Sequence, residues 1–269
     1  MKRNILKDKK IIIGAILSLV FITLALVSII YTPYEPSAMN ASEKFAHASV
    51  RHIMGCDNFG RDVFSRVMSG LGITMLIAFG TNVIGLFFGI IVGALTGYYG
   101  GAVDEVLMRV NDAVLAFPSI LLALVFISVF GTGQINLMIA LGIVFIPSYA
   151  RIIRGEYLRC KVLDYVTSAR LMGASDLRII VRHILPNVTP VIFSTVVIGF
   201  NNAVLAEAGL SFLGIGVQPP FASLGTMLAD SQAFVFSHPA YTFSVGGFMV
   251  LLIVSFALFS DGVKEFINA

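Results

Sequence analysis

The sequence predicts an all-α, polytopic membrane protein with six transmembrane helices. Of its 269 residues, 57% are hydrophobic and 12% are charged, whereas soluble domains average about 45–50% and about 25%. Several uncharged stretches also reach the roughly 20 apolar residues that a helix needs to cross a bilayer. The composition therefore excludes a cytosolic enzyme, a disordered chain, a secreted disulfide scaffold and a nucleic-acid-binding protein.

The first two spans are predicted by uncharged stretches near the N-terminus. Residues 11–30 carry no charge and follow a basic segment. They lack the small-residue cleavage pattern of a signal peptide, so we expect a retained anchor. The uncharged stretch 67–103 predicts the second span. Its end is marked by the glycines and tyrosines of residues 97–101, which indicate a turn at the membrane interface.

Four further spans are predicted by the remaining apolar stretches. Residues 113–150 are uncharged but interrupted at 131–136 by glycines and amides, which predicts spans three and four around a turn. Span five lies within 183–206, and span six covers 240–260. The apolar segment 209–228 is broken by glycine and proline. We expect it to form a re-entrant or outer-face loop packed on protein, because lipid cannot satisfy its backbone.

The distribution of basic residues predicts the orientation. Six spans place both termini on one side of the membrane, and Lys and Arg concentrate on the cytoplasmic side. Cytoplasmic termini leave only Lys44, Arg51, Arg61 and Arg66 outside. We therefore divide the chain into two parts. Residues 1–66 hold the N-terminal tail, the first helix and an outer loop, and residues 67–269 hold a five-helix core with a cytoplasmic loop at 151–186.

This inner loop is longer than a connection between two helices requires. Its residues predict a short helix at 165–172 that is capped by Asp164 and ended by Gly173 in the left-handed conformation. Ser175 is positioned to cap a second helix. The two helices and the turn between them, residues 164–178, are called the knuckle here. The knuckle either faces a partner protein or lies in the lipid headgroup layer, where it only fixes the topology.

Four stretches carry a resemblance to a known family. The inner-loop sequence DYVTSARLMGASDLR at 164–178 resembles the EAA loop of ABC importer permeases. It is most similar to the C-type subunit of the dipeptide, oligopeptide and nickel permeases. GRDVFSR at 60–66, the stretch 97–109 with AFPS at 116–119, and AEAGLSFLGIGVQPP at 206–220 support the same assignment.

The resemblance implies the type I ABC importer permease fold, with the inner loop as a coupling loop that docks into a groove of a cytoplasmic ATPase. The coupling residues that it implies are Tyr165, Thr167, Ser168, Ala169, Arg170, Gly173, Ala174, Ser175 and Asp176. Thr167 stands where the family usually has Glu, and Ser168 replaces the first Ala, whereas Ala169 and Gly173 match. The absence of Glu at position 167 weakens any salt bridge to the ATPase. It leaves the geometry of the knuckle unchanged, because that geometry depends on Gly173.

The implied function is that of a permease subunit in an ATP-driven importer of di- or oligopeptides, in a bacterial or archaeal plasma membrane. The implied partners are a homologous B-type permease subunit, two ATP-binding cassette subunits, an extracytoplasmic substrate-binding protein and membrane lipid. Nickel or metal-chelate import is an alternative within the family. A non-transport membrane scaffold is an alternative of another class.

We expect no enzymatic activity and no cofactor in this chain. The sequence has no GxxxxGK[ST] motif, so ATP hydrolysis belongs to separate subunits. We also expect no metal site, because His47, His52, His183 and His238 form no pair at ligand spacing. Cys56 and Cys160 have no redox or metal spacing and fall on opposite predicted sides of the membrane.

Polar residues near the spans are candidates for the outer face or the translocation path. Glu207 lies at the outer end of span five. It either contacts cargo or the binding protein, or it is hydrogen-bonded within the glycine-rich outer loop. Asn201 and Asn202 suit a polar but uncharged path. In the outer loop, we expect Asp62 to form a local ion pair with its flanking arginines.

Overall fold

The computed structural model describes the backbone of residues 9–267 and the side chains of residues 10–263. The described chain is a bundle of long helices without a β-strand; Cys56 and Asp62 form one isolated bridge. The basic residues Lys2, Arg3 and Lys7 lie outside the described residues. In chain order the helices are α1 Lys9–Ile30, α2 Val63–Tyr99, α3 Gly101–Leu115, α4 Ser119–Phe130, α5 Gln134–Cys160, α6 Asp164–Leu171, α7 Asp176–Arg178, α8 Leu185–Phe212, α9 Leu224–Gln232 and α10 Pro239–Ile267.

Five helical segments are long and apolar enough to cross a membrane. They are Lys10–Ile30, Val63–Tyr99, Gln134–Cys160, Asp176–Phe212 and Pro239–Val263. A sixth span arises when α3 and α4, which meet at an angle of 93°, are taken together. The 12 residues of α4 extend only about 18 Å, so α4 alone is too short for a hydrocarbon core of about 30 Å. The predicted all-α membrane fold is confirmed, with five spans, or six when the bent pair α3–α4 counts as span three.

The boundaries differ from the expected ones where polar residues start a helix. The second span begins at Val63 rather than at residue 67, because Asp62 caps α2 by accepting a hydrogen bond from the Ser65 amide at 2.7 Å. It ends at Tyr99, where Gly100 and Gly101 have φ of +67° and +53°. Only glycine adopts such angles readily, so the predicted turn is present.

The segment predicted as a packed outer loop is partly helical. Its first residues complete α8, and its last residues begin α9. Leu210, Val217 and Leu224 are buried, so the segment packs on protein as expected. Ser223 accepts a hydrogen bond from the Thr226 amide at the start of α9, and the Thr226 hydroxyl accepts one from the Ser223 amide. This reciprocal capping satisfies backbone groups that lipid could not.

The most extensive helix pairing among the described residues is that of α2 with α5. Four glycines on one face of α2 lie against α5: Gly85, Gly89, Gly93 and Gly97. A Cβ at Gly93 would lie 2.7 Å from the Ala150 carbonyl oxygen and 2.8 Å from the Ile153 Cβ. Small residues at four-residue spacing let two helix backbones approach in a membrane, where close packing drives association.

In the predicted outer loop, the ion pairs differ from the expected ones. Asp57, which is fully buried, accepts from Arg61 Nε at 2.6 Å and lies 3.6 Å from Arg66 Nε. Asp62 instead bonds the His52 ring at 2.8 Å while it caps α2. The expected pairing of Asp62 with an arginine is therefore wrong, because its carboxylate is held at the helix start.

Replacement of Gly93 tests the α2–α5 packing. We expect Gly93→Ala to destabilise the purified chain by about 1–3 kcal/mol, as overpacking of a close contact does. The measurement is the thermal unfolding midpoint in detergent. Gly155→Ala on α5 is the matched control, because a Cβ there meets no atom within 4 Å. A Gly93→Ala chain as stable as Gly155→Ala would contradict the packing described.

Candidate functional site

The predicted coupling loop folds into the expected knuckle. After α5, the chain forms α6, turns at Gly173, and enters α7, which continues through a π-helical turn at Ile179–Ile184 into α8. Gly173 has φ of +80°, and a Cβ there would meet no atom within 4 Å. The backbone conformation, rather than lack of space, is therefore what requires glycine at this position.

The helix caps of the knuckle are set by backbone rather than by side chains. Leu163, not Asp164, is the N-cap of α6, since its carbonyl accepts from the Val166 and Thr167 amides at 3.0 and 3.2 Å. The prediction that Asp164 caps this helix is wrong by one residue. Ser175 does occupy the N-cap of α7, but its side chain makes no capping hydrogen bond. The carboxylate of Asp164 still lies in the first turn of α6, where the helix dipole favours it.

Two apolar side chains anchor the knuckle to the bundle. Val166 is 0% and Ala169 2% exposed. They belong to a buried cluster with Tyr98 at the end of α2, Tyr157 at the end of α5 and Ile179 in the π-helical turn. The cluster packs α6 against residues of α2, α5 and α8.

A polar contact adds to this anchor. The Tyr98 hydroxyl donates to Asp176 Oδ1 at 2.6 Å, and Arg170 Nη2 donates to the same hydroxyl at 3.3 Å. The hydrogen bond to Tyr98 raises the pKa of Arg170. The sequence places Tyr98 only in an interfacial turn, because nothing local in it indicates a partner so distant along the chain.

Ion pairs fix α3 across α5 next to the knuckle. Arg154 Nε and Nη2 donate to the two oxygens of Asp104 at 2.5 and 2.6 Å, a bidentate geometry that is among the stronger ion pairs. Arg151 donates to Asp112 at 2.6 Å. Glu105 and Arg109, four residues apart on α3, are 3.9 Å apart and exposed, so this pair contributes little.

The remaining surface of the knuckle is open. Leu171 and Met172 are 84% and 82% exposed, and Leu177 is 70% exposed. Exposed apolar side chains at and next to the turn between α6 and α7 indicate an interaction surface. Of the residues implied for coupling, Ala169 is buried, Ala174 is half-buried, and Tyr165, Thr167, Ser168, Arg170, Gly173, Ser175 and Asp176 are exposed.

A cavity of about 430 Å³ lies where the α3–α4 bend faces α5 and α8. Its lining is mainly apolar, with Ser148, Thr195 and Asn202 among its polar members. Asn201 does not line it, and its buried Oδ1 has no hydrogen-bond partner among the described residues. Of the two asparagines predicted for the path, only Asn202 therefore lines the cavity.

Glu207 lies in the interior, between α2 and α8. Its side chain is fully buried and accepts hydrogen bonds from Thr74 at 3.0 Å and from Ser211 at 2.7 Å. The Thr74 hydroxyl in turn accepts from the Leu224 amide at 3.1 Å. The carboxylate therefore links α2, α8 and the start of α9, a geometry that fits the hydrogen-bonded alternative rather than an exposed contact.

Comparison with known proteins identifies similar chains over most of the length. A family model described as "Binding-protein-dependent transport system inner membrane component" matches residues 85–267. The dipeptide transport system permease protein DppC of Alkalihalophilus pseudofirmus is 34% identical over 98% of this chain and 86% of its own length. The oligopeptide transport system permease protein OppC of Bacillus subtilis is 32% identical over 96% of this chain and 85% of its own.

Solved structures show the same helical fold. The inward-facing MetNI methionine ABC transporter has a chain that aligns with a TM-score of 0.60 at 17% identity, over 73% of this chain and 94% of its own. An amino acid ABC transporter with histidines aligns with a TM-score of 0.56 at 19% identity, over 74% of this chain and 92% of its own. The likeness extends to the arrangement of the helices.

Removal of the Tyr98 hydroxyl tests the anchor of the knuckle. We expect Tyr98→Phe to weaken the packing of residues 174–178 by about 1.5–3 kcal/mol, the range for a hydrogen bond to a charged group. The measurement is faster amide hydrogen exchange in this segment of the purified chain. Tyr99→Phe is the control, because Tyr99 is 51% exposed and adjacent in sequence. Equal exchange in both variants would contradict the anchor.

Proposed function

Because the chain belongs to the family of binding-protein-dependent transport system inner membrane components, we propose that it is a permease subunit of an ATP-driven importer of peptides. The observation that carries the proposal is the combination of this family match with the exposed knuckle at 164–178. The dipeptide and oligopeptide permeases that are similar over nearly the full chain support peptides as the cargo class.

We propose that the complex contains a homologous B-type permease subunit, two ATP-binding cassette subunits and an extracytoplasmic substrate-binding protein. ATP hydrolysis then takes place on the cassette subunits, and this chain carries no enzymatic activity. The termini and the knuckle lie in the cytoplasm, as the distribution of Lys and Arg favours. Residues 67–269 form the permease core, and residues 1–66 hold the peripheral helix and the outer loop.

The knuckle transmits ATPase motion to the spans in this proposal. Its exposed apolar tip, formed by Leu171, Met172 and Leu177, inserts into a groove of the cassette subunit. The helix from Asp176 to Phe212 passes from the knuckle directly into a span, and Tyr98 ties the knuckle to α2. Closure of the two cassette subunits therefore moves α2 and α8 together, which changes the packing of the two permease chains.

The cavity at the α3–α4 bend supplies part of the translocation path. Its lining offers hydroxyl and amide groups, including that of Asn202, but no carboxylate, ammonium or guanidinium group. Such a lining suits cargo that must leave as readily as it enters, because it contacts the peptide without a strong ionic site. In this proposal Glu207 is not part of the path, and its hydrogen bonds to Thr74 and Ser211 link α2 to α8.

Substitution of Gly173 tests coupling. We expect Gly173→Val to reduce substrate-stimulated ATPase activity of the assembled complex to the basal rate, because a left-handed φ costs a residue with a Cβ about 1–2 kcal/mol and the turn reorganises. Gly131→Val, at φ +86° in the turn between α4 and α5, imposes similar strain far from the knuckle and should retain stimulation. Normal stimulation in Gly173→Val would contradict the coupling role.

A pull-down tests the docking surface. We expect Met172→Asp to prevent co-purification of the cassette subunits from detergent-solubilised membranes, because a carboxylate would be buried in an apolar contact. Membrane insertion should be unchanged. Val50→Asp, at a fully exposed position of the predicted outer loop, is the matched control and should retain all partners. A wild-type chain that recovers no ATPase at all would favour the scaffold function instead.

A further inference from the structure

Three metal-ligating side chains meet in the predicted outer loop, away from the knuckle and the cavity. Glu43 comes from a short 3-10 turn, His52 from the following loop and Cys56 from the segment that leads to α2. One ligand atom from each residue lies within 4.8 Å of the other two. The separation of His52 Nε2 and Glu43 Oε2 is 3.6 Å. Ligand atoms around a tetrahedral zinc ion lie about 3.3–3.8 Å apart, so small side-chain shifts complete the geometry.

The imidazole is already oriented for metal binding. His52 Nδ1 is 2.8 Å from Asp62 Oδ1, which leaves Nε2 as the nitrogen that faces Glu43. A carboxylate bonded to the far nitrogen of a metal-ligating histidine fixes the ring and raises its basicity. Asp62 is itself held as the N-cap of α2, and Glu43 accepts from Asn40 Nδ2 at 2.8 Å. Both acidic groups are thus fixed by neighbours.

The surroundings of the thiol favour a cation. Cys56 is 3% exposed. The carboxylates of Asp62, Glu43 and Asp57 are its charged neighbours and favour a positive charge there. An ion that binds the sulfur displaces the thiol proton to solvent.

We propose that Glu43, His52 and Cys56 bind a zinc-type divalent cation, with Asp62 orienting the imidazole and water in the fourth position. Thiolate and imidazole ligands select Zn²⁺ over Mg²⁺ and Ca²⁺, which prefer oxygen ligands. The ion ties the 3-10 turn to the residues that start α2 and so stabilises the outer loop. The sequence predicted no metal site, because neither the histidines nor the cysteines form pairs at ligand spacing, and only the fold brings Glu43, His52 and Cys56 together. The proposal is independent of the transported cargo.

Cobalt binding to the purified full-length chain in detergent tests the site. The chain should carry an affinity tag without histidines. We expect one Co²⁺ per chain, a thiolate-to-cobalt charge-transfer band in the near ultraviolet and visible bands of four-coordinate Co²⁺, all displaced by Zn²⁺. Absence of the charge-transfer band at stoichiometric Co²⁺ would overturn the proposal.

Two cysteine variants identify which thiol gives the charge-transfer band. Cys56→Ser should abolish it, whereas Cys160→Ser, at a buried position at the end of α5, should retain it. A band that survives Cys56→Ser would overturn the proposal. The wild-type chain gives an independent measurement, in which Zn²⁺ slows alkylation of Cys56 and leaves that of Cys160 unchanged. Equal alkylation of Cys56 with and without Zn²⁺ would also overturn it.

Asp62→Asn separates ring orientation from helix capping. Asn is as good an N-cap as Asp, so α2 keeps its start. Loss of the carboxylate beside His52 Nδ1 should lower the Co²⁺ affinity about 10–100-fold, as changes of such partners do. An unchanged affinity would show that Asp62 does not support the metal site.

Discussion

The close approach of α2 and α5 is the contact on which the rest of the structure depends. Glycines at four-residue spacing on α2 let the two backbones meet where any Cβ would clash. This approach places Tyr98, at the end of α2, beside Tyr157 near the end of α5. Since the knuckle packs on both tyrosines, its position follows from the helix pair rather than from the loop itself.

The knuckle combines a fixed base with an open tip. Val166 and Ala169 are buried among side chains from three spans, while Leu171 and Met172 project from the opposite side. A surface that passes motion between proteins needs both properties, because a loose base would absorb the displacement that the tip receives. The continuous helical segment from Asp176 into α8 connects the base of the knuckle to a span. The proposed coupling would thus depend on packing, and the Thr at position 167 in place of the family's Glu is compatible with that.

The predicted outer loop is ordered by buried charge rather than by an apolar core. Asp57 lies between Arg61 and Arg66. The Asp62 carboxylate caps the start of α2 and also bonds to the His52 ring. Charges that are buried in this way are stable only when they are paired or bind an ion. The inferred cation site at Glu43, His52 and Cys56 continues the same pattern, because it places a positive charge where carboxylates and a thiol converge.

The sequence by itself determined the features that depend on local patterns: the apolar spans, the turns at glycines and the knuckle with its left-handed Gly173. These follow from segment length and from backbone conformations that one residue type adopts. Only the tertiary structure decided the 93° bend between α3 and α4, the burial of Glu207 and the pairing of Tyr98 with Asp176. The partners in these contacts are distant in the chain, so no local pattern records them. The family resemblance indicated the loop for which coupling is proposed, but packing of the helices decided which of its residues are buried and which are exposed.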